Sequence, residues 1–187
     1  MHVNIGHRLA RSEIYGPGVR SVLWLQGCTL ACRGCWNTQF WSLRGGIQTD
    51  VSSILAEWEQ QEGLEGITLL GGEPFQQLEA TEALITGAKR LGLTVFVYTG
   101  YTMDEFSPAM ERCFLASDIV VTGRYLHTLR DTTLRWRGSS NQEVHFPTGH
   151  YRYLEVEEQH EVEVHISETG ELEMFGYAPH DLIEVLG

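Results

Sequence analysis

Cys28, Cys32 and Cys35 stand in the order CTLACRGC, with three and then two residues between them. Thiolates at that spacing can reach one inorganic centre from a single loop, and they are the usual ligands of iron-sulfur clusters. Electron-transfer cubanes generally take four cysteines, one for each iron. A loop that offers three leaves one iron without a protein ligand, and an open coordination position marks a metal site that binds substrate. Zinc is the competing occupant. It wants a fourth ligand, for which His2, His7, His127 and His145 are the candidates. Gly27 and Gly34 let backbone pass close to a bulky group, although both are also ordinary loop residues. Cys113 has no cysteine near it in sequence and lies in a helical stretch, so it reads as buried packing.

Further polar and glycine-rich positions follow at intervals. Gly71 and Gly72 permit close backbone approach, Glu73 can meet a cation, and Pro74 fixes the turn. An ordinary strand-to-helix turn would explain the glycines and the proline alone. Tyr98, Thr99, Gly100 and Tyr101 place hydroxyls and open backbone at the end of another apolar run. Trp36, beside the last clustered cysteine, either shields a centre or packs. GPGVR brings a rigid turn next to Arg20, and Arg135, Arg137, Ser139, Ser140, Asn141 and Gln142 form a polar run late in the chain.

The elements that must carry these residues alternate. SVLWLQ predicts a strand over 19–26 that runs straight into the cysteine segment. Val51, Ile54, Leu55 and Trp58 recur at helical spacing after Asp50, a suitable cap. GITLL then reads as a strand ending in Gly71, followed by a helix over 78–91 with Leu84, Ile85 and Ala88 inward. LTVFVYTG, a helix from Met103 to about Leu115 and a strand over 118–122 continue the series. Such alternation predicts an α/β fold with a parallel sheet, too short for a closed eight-stranded barrel of about 250 residues and therefore an open, partial barrel. Ligands collect at the carboxyl ends of parallel strands, where the cysteines, GGEP and YTGY all fall. Beyond Gly138 the pattern shortens. EVEVHI alternates over 161–166, a turn is expected at Ser167 to Gly170, and a return strand runs through Leu172 and Met174. The expected organisation is one unit over 1–187, an α/β core at 1–149 and a β-rich appendage at 150–187.

The chain has 187 residues, 42% of them apolar, enough for a core of its own. No apolar run is long enough for a membrane span, and MHVNIGHRLARSE lacks the apolar segment of a signal peptide, so a cytoplasmic location is expected. A net charge of -12 would repel a phosphate backbone, which argues against nucleic acid as a partner. Eight glutamates and no Lys or Arg lie between Glu155 and Glu173, which concentrates negative charge in the last fifth of the chain.

CxxxCxxC followed by GGEP resembles the radical S-adenosylmethionine superfamily. Together with YGPGVR at 15–20, CRGCWN at 32–37, VYTGYTMDEF at 97–106 and LRWRGSSNQ at 134–142, the chain is similar to the anaerobic ribonucleoside-triphosphate reductase activating proteins, which are glycyl radical enzyme activases. The resemblance implies a 4Fe-4S cluster held by Cys28, Cys32 and Cys35. It implies S-adenosylmethionine on the open iron, cleaved on reduction to methionine and a 5′-deoxyadenosyl radical that abstracts hydrogen. Gly71, Gly72, Glu73 and Pro74 would contact the methionine amine, with Thr99 and Trp36 as further cofactor-binding candidates. The implied partners are a large glycyl radical enzyme and an electron donor such as flavodoxin or ferredoxin. The same reagent could instead act on another peptide or a small molecule, and a non-catalytic metal-binding module is the third reading. Two features depart from the family pattern. Thr122 occupies an expected carboxylate position, and the chain continues past GSSNQ through the glutamate-rich hairpin, where short members end.

Overall fold

The computed structural model describes residues 1–156, 161–167 and 169–176. The expected appendage is therefore seen in part, and its segments 157–160 and 177–187 lie outside the described residues. Nine strands and three α-helices are formed among those described. In chain order these are β1 (His2–Ser12), β2 (Arg20–Leu25), β3 (Ile47–Asp50), α1 (Val51–Gln60), β4 (Gly66–Gly71) and α2 (Leu78–Arg90). They continue with β5 (Thr94–Tyr98), α3 (Pro108–Ala116), β6 (Ile119–Thr122), β7 (Glu143–His145), β8 (Val162–Ile166) and β9 (Leu172–Gly176).

Seven strands form one mixed sheet in the order β3-β1-β2-β4-β5-β6-β7. Its centre, β2-β4-β5-β6, is parallel as the alternation predicted. Its flanks are not: β1, β3 and β7 pair antiparallel. β1 is the element the alternation missed, although Val3, Ile5 and Leu9 are its buried positions and largely alternate. Its pairing with β2 slips between Ile5 and His7, and that bulge re-aims the following side chain. The helix expected from Met103 starts late, because Met103–Glu105 is a 3-10 turn and α3 opens at Pro108 behind the cap Ser107. Proline has no amide to lose at a first helical turn.

Alternation along the central strands divides the core. Leu23, Leu25, Ile67, Leu69, Val95 and Val97 face the helices and meet Ile54, Trp58, Leu84, Ile85 and Cys113. Each fully buried apolar side chain of this kind contributes about 1.5–3 kcal/mol. Val22, Trp24 and Leu70 point to the other face, as do Phe96 and Tyr98. That face is covered by Trp136, Phe146 and Tyr151 on one side and by Phe175 on the other.

The amino-proximal ends of the central strands are tied by Arg20, which is fully buried. Its guanidinium donates to Thr68 Oγ1 at 2.9 Å, to Thr94 Oγ1 at 2.9 Å and to the carbonyls of Pro17 at 2.9 Å and Ile67 at 2.6 Å. Arg20 thus locks the GPGVR turn under β4 and β5 and lies away from the carboxyl ends. Asp118, also buried, accepts from Lys89 Nζ at 2.7 Å, Thr148 Oγ1 at 2.7 Å and Val95 N at 2.8 Å. β8 and β9 form a separate two-stranded hairpin at the positions expected for it. No helix of the described residues is long and apolar enough to cross a membrane.

Candidate functional site

The carboxyl ends of β2, β4 and β5 open on a cavity of about 720 Å³. Cys28, Cys32 and Cys35 line it together with Trp36, Gly71, Gly72, Glu73 and Thr99. The three thiols are unpaired and half-buried. Their loop is held at both ends by backbone: Gly27 N donates to Phe40 O at 2.8 Å, Cys28 N to Trp41 O at 3.0 Å and Cys35 N to Cys32 O at 3.1 Å. The loop curls because Ala31 (φ 48°) and Gly34 (φ 75°) take left-handed backbone. Burial pushes the Cys28 and Cys32 thiols up from their ordinary values, so a bound cation is needed to favour the thiolates.

GGEP is built into the floor of that loop. Gly72 N donates to Leu25 O and Glu73 N to Gly27 O, each at 2.8 Å. A Cβ on Gly72 would collide with the Gly27 carbonyl and stand 2.7 Å from that of Phe40. Glu73 is buried and accepts from Phe75 N and Thr99 Oγ1 on Oε1 and from Gly100 N on Oε2, at 2.8–2.9 Å. A carboxylate offers about four lone-pair directions, so these three donors leave one on Oε2 unfilled. Burial pushes the Glu73 carboxyl up to about 7 against these three donors. Pro74 is buried at the start of a 3-10 turn and stays out of the cavity lining.

The remaining candidates separate. Tyr98 and Gly100 line the cavity, whereas the Tyr101 hydroxyl turns away to accept from Gln76 Nε2 at 2.9 Å. Trp36 is 50% exposed at the rim under the Arg130 guanidinium, 4.6 Å from its ring centroid. In the late polar run, Arg135, Gly138 and Gln142 reach the cavity. Ser139 is buried and donates nothing there; its Oγ accepts from Leu126 N at 3.1 Å. Thr122 meets His145 Nε2 at 2.8 Å, so the position where a carboxylate was expected pairs with an imidazole whose pKa burial lowers. Of the four histidines weighed as a zinc ligand, His7 alone lines the cavity. Cys113 packs between α2 and α3, its thiol pushed up to about 12 by burial.

Sequence reasoning missed His7, Tyr15 and Trp24 as a further wall of the cavity, which Met174 and Phe175 of the hairpin and Glu161 just before it complete, as an extension free to reshape the open face would. The period-two pattern of 2–12 was the available signal. It also missed a charge arrangement. Residues 27–46 and 123–142 hold six of the chain's 13 Lys and Arg and one acid, Asp131. Gly34 packs on Tyr125 and His127, so those two segments meet in space, and Arg33, Arg44 and Arg130 are exposed there.

The chain matches the family model described as a 4Fe-4S single cluster domain over residues 14–145. It is 32% identical over 141 residues to the anaerobic ribonucleoside-triphosphate reductase-activating protein of Haemophilus influenzae, covering 71% of this chain and 90% of that relative. The chain belongs to this family of activating proteins. Another member, from Escherichia coli K12, is 31% identical over 142 residues, covering 71% of this chain and 91% of its own length. The crystal structure of QueE from Escherichia coli overlaps 55% of this chain and 54% of QueE, at 17% identity and a TM-score of 0.44. The cavity suits the group that names the family model. Three soft donors come from one loop, and Gly72 and Gly27 leave no side chain between that loop and the strand ends. Among the described residues no three His, Cys, Asp or Glu side chains close on one ion-sized point.

Proposed function

We infer that this activating protein holds a 4Fe-4S cluster on Cys28, Cys32 and Cys35 and generates a glycyl radical on a partner anaerobic ribonucleotide reductase. When bound, the cluster and S-adenosylmethionine supply reductive cleavage of the sulfonium to methionine and a 5′-deoxyadenosyl radical, the agent that removes hydrogen from glycine. The observation that carries the reading is the meeting of three loop thiols and one buried carboxylate on a single cavity.

The chain's own residues prepare that cavity. Phe75 N, Thr99 Oγ1 and Gly100 N fix Glu73 so that its open Oε2 direction receives the cofactor's amine. Gly71 and Gly72 bring the backbone close to the same group, Pro74 fixes the turn behind them, and Trp36 stands at the rim to shield it. Arg33, Arg44 and Arg130 form a positive border on a negative molecule, which suits an acidic one-electron donor such as flavodoxin or ferredoxin. A cytoplasmic setting, where thiols stay reduced, agrees with this chemistry. The arrangement also fits an open, partial barrel, with one unit over 1–187 whose α/β core spans 1–149 and whose β-rich appendage spans 150–187.

The test is anaerobic reconstitution with iron and sulfide, followed by reduction in the presence of S-adenosylmethionine and the candidate reductase. A glycyl doublet in electron paramagnetic resonance is expected on the partner. Cofactor cleavage without that doublet would overturn the activase reading.

A further inference from the structure

The family match ends at residue 145, yet one wall of the cavity is made of residues beyond it: Glu161, Met174 and Phe175. A two-stranded hairpin is marginal alone in water, so its position here is set by what it docks against. Phe175 stacks on His7 at 5.7 Å between centroids and lies 6.0 Å from Trp24, which rises from β2 toward the cysteine loop. Glu163 accepts from Ser12 Oγ at 2.6 Å and from Glu13 N at 3.2 Å, just past the end of β1. Glu161 reaches Arg135 Nη2 at 4.0 Å from the opposite side of the cavity. The hairpin therefore spans the concave face from one flank to the other.

That closure leaves unpartnered polar atoms inside. Trp41 Nε1, Trp136 Nε1, Arg135 Nε and His7 Nε2 belong to residues lining the cavity, are buried and have no hydrogen-bond partner among the described residues. The first three can only donate, whereas the imidazole nitrogen donates or accepts according to its tautomer. Buried donors in folded proteins nearly always have an acceptor, so a set without one in the protein is free for acceptors from solvent or from a ligand that displaces it. Peptide carbonyls are such acceptors, and apolar walls such as Trp24 and Phe175 suit the edges of an extended segment.

We propose that the hairpin at 162–176 is the substrate-side wall of the site. Phe175, seated between His7 and Trp24, sets the position of an extended glycine-bearing segment of the partner, and Trp41, Trp136 and Arg135 hold that segment by its backbone carbonyls. The proposal rests on the activase reading and adds the specificity residues to it. The family model ends at residue 145, so this wall lies outside the segment that the model describes.

The test uses the full, cluster-loaded chain with the reductase under anaerobic conditions. Two quantities are read: the affinity for the reductase, and glycyl radical formed per 5′-deoxyadenosine. Phe175→Ala should weaken binding and lower the radical yield per cleavage, each by about tenfold, since small misplacements of a reacting group cost that much or more. Phe175→Tyr should restore both. Trp136→Phe removes an indole N–H while keeping an aromatic ring, and should weaken binding about fivefold, which decides the matter if Phe175→Ala fails to load its cluster. Wild-type values for Phe175→Ala, or tighter binding with a higher yield, would overturn the wall, the latter by revealing an obstruction. A wild-type protein that cleaves cofactor and makes no radical would instead sink the activase reading, and the proposal with it.

Discussion

Asp118 shows how one buried charge is kept. Burial pushes its carboxyl up, but donors from Lys89, Thr148 and Val95 outweigh that and hold it below the ordinary carboxylate range. A carboxyl whose folded pKa is lowered adds stability that is complete above its unfolded value of about 3.9 and lost as pH falls through the lower folded value. Asp118→Asn should therefore cost about 3 kcal/mol at pH 7, and the gap to wild type should close in strong acid, as denaturant melts at several pH values will show. Among the cysteines the expected contrast is one of kind. Ala at Cys28, Cys32 or Cys35 should abolish iron-sulfur absorbance after reconstitution, whereas Cys113→Ala should keep it and lose about 1 kcal/mol of stability. The triad was legible in the sequence because its spacing is local. Arg20 was not, since the oxygens that hold it come from Thr68 and Thr94, 48 and 74 positions away. Thr122 stands where the resemblance led us to expect a carboxylate, and its partner His145 is invisible until β6 and β7 pair.

Among the elements, the parallel centre followed from apolar runs alternating with helical periods, and so did the convergence of GGEP and YTGY on the cysteine loop. The antiparallel flanks were harder to read. β1 mixes His, Asn, Gly and Arg with its buried residues and carries a bulge, which blurs the period-two signal, and β3 and β7 are only four and three residues long. The junction between the GGEP turn and the cysteine loop is a tight joint of the site. Gly72→Ala should force the loop away from Phe40 and the Gly27 carbonyl, costing about 1–3 kcal/mol. Iron content after reconstitution should fall well below the wild-type value. A fully loaded Gly72→Ala protein would show that the joint tolerates the extra carbon.

Taken whole, the molecule is acidic with a basic border at its reactive edge. On the proposed reading, in which an acidic electron donor is steered by that border, reduction of the cluster should slow as salt rises between about 0.05 and 0.3 M, where screening shortens the reach of surface charge. Arg130→Glu should slow the reaction further at low salt, and stopped-flow absorbance would register both effects. The linear sequence hid this arrangement, because the arginine-bearing segments 27–46 and 123–142 meet only when Gly34 packs against His127. One more consequence lies in where the apolar mass sits. None of the three apolar clusters includes Cys28, Cys32 or Cys35. The scaffold and its inorganic payload should thus be separable, so that a molecule stripped by air is discharged rather than ruined. The metal-free chain should still melt in one cooperative step, and fresh iron and sulfide should recharge it without refolding.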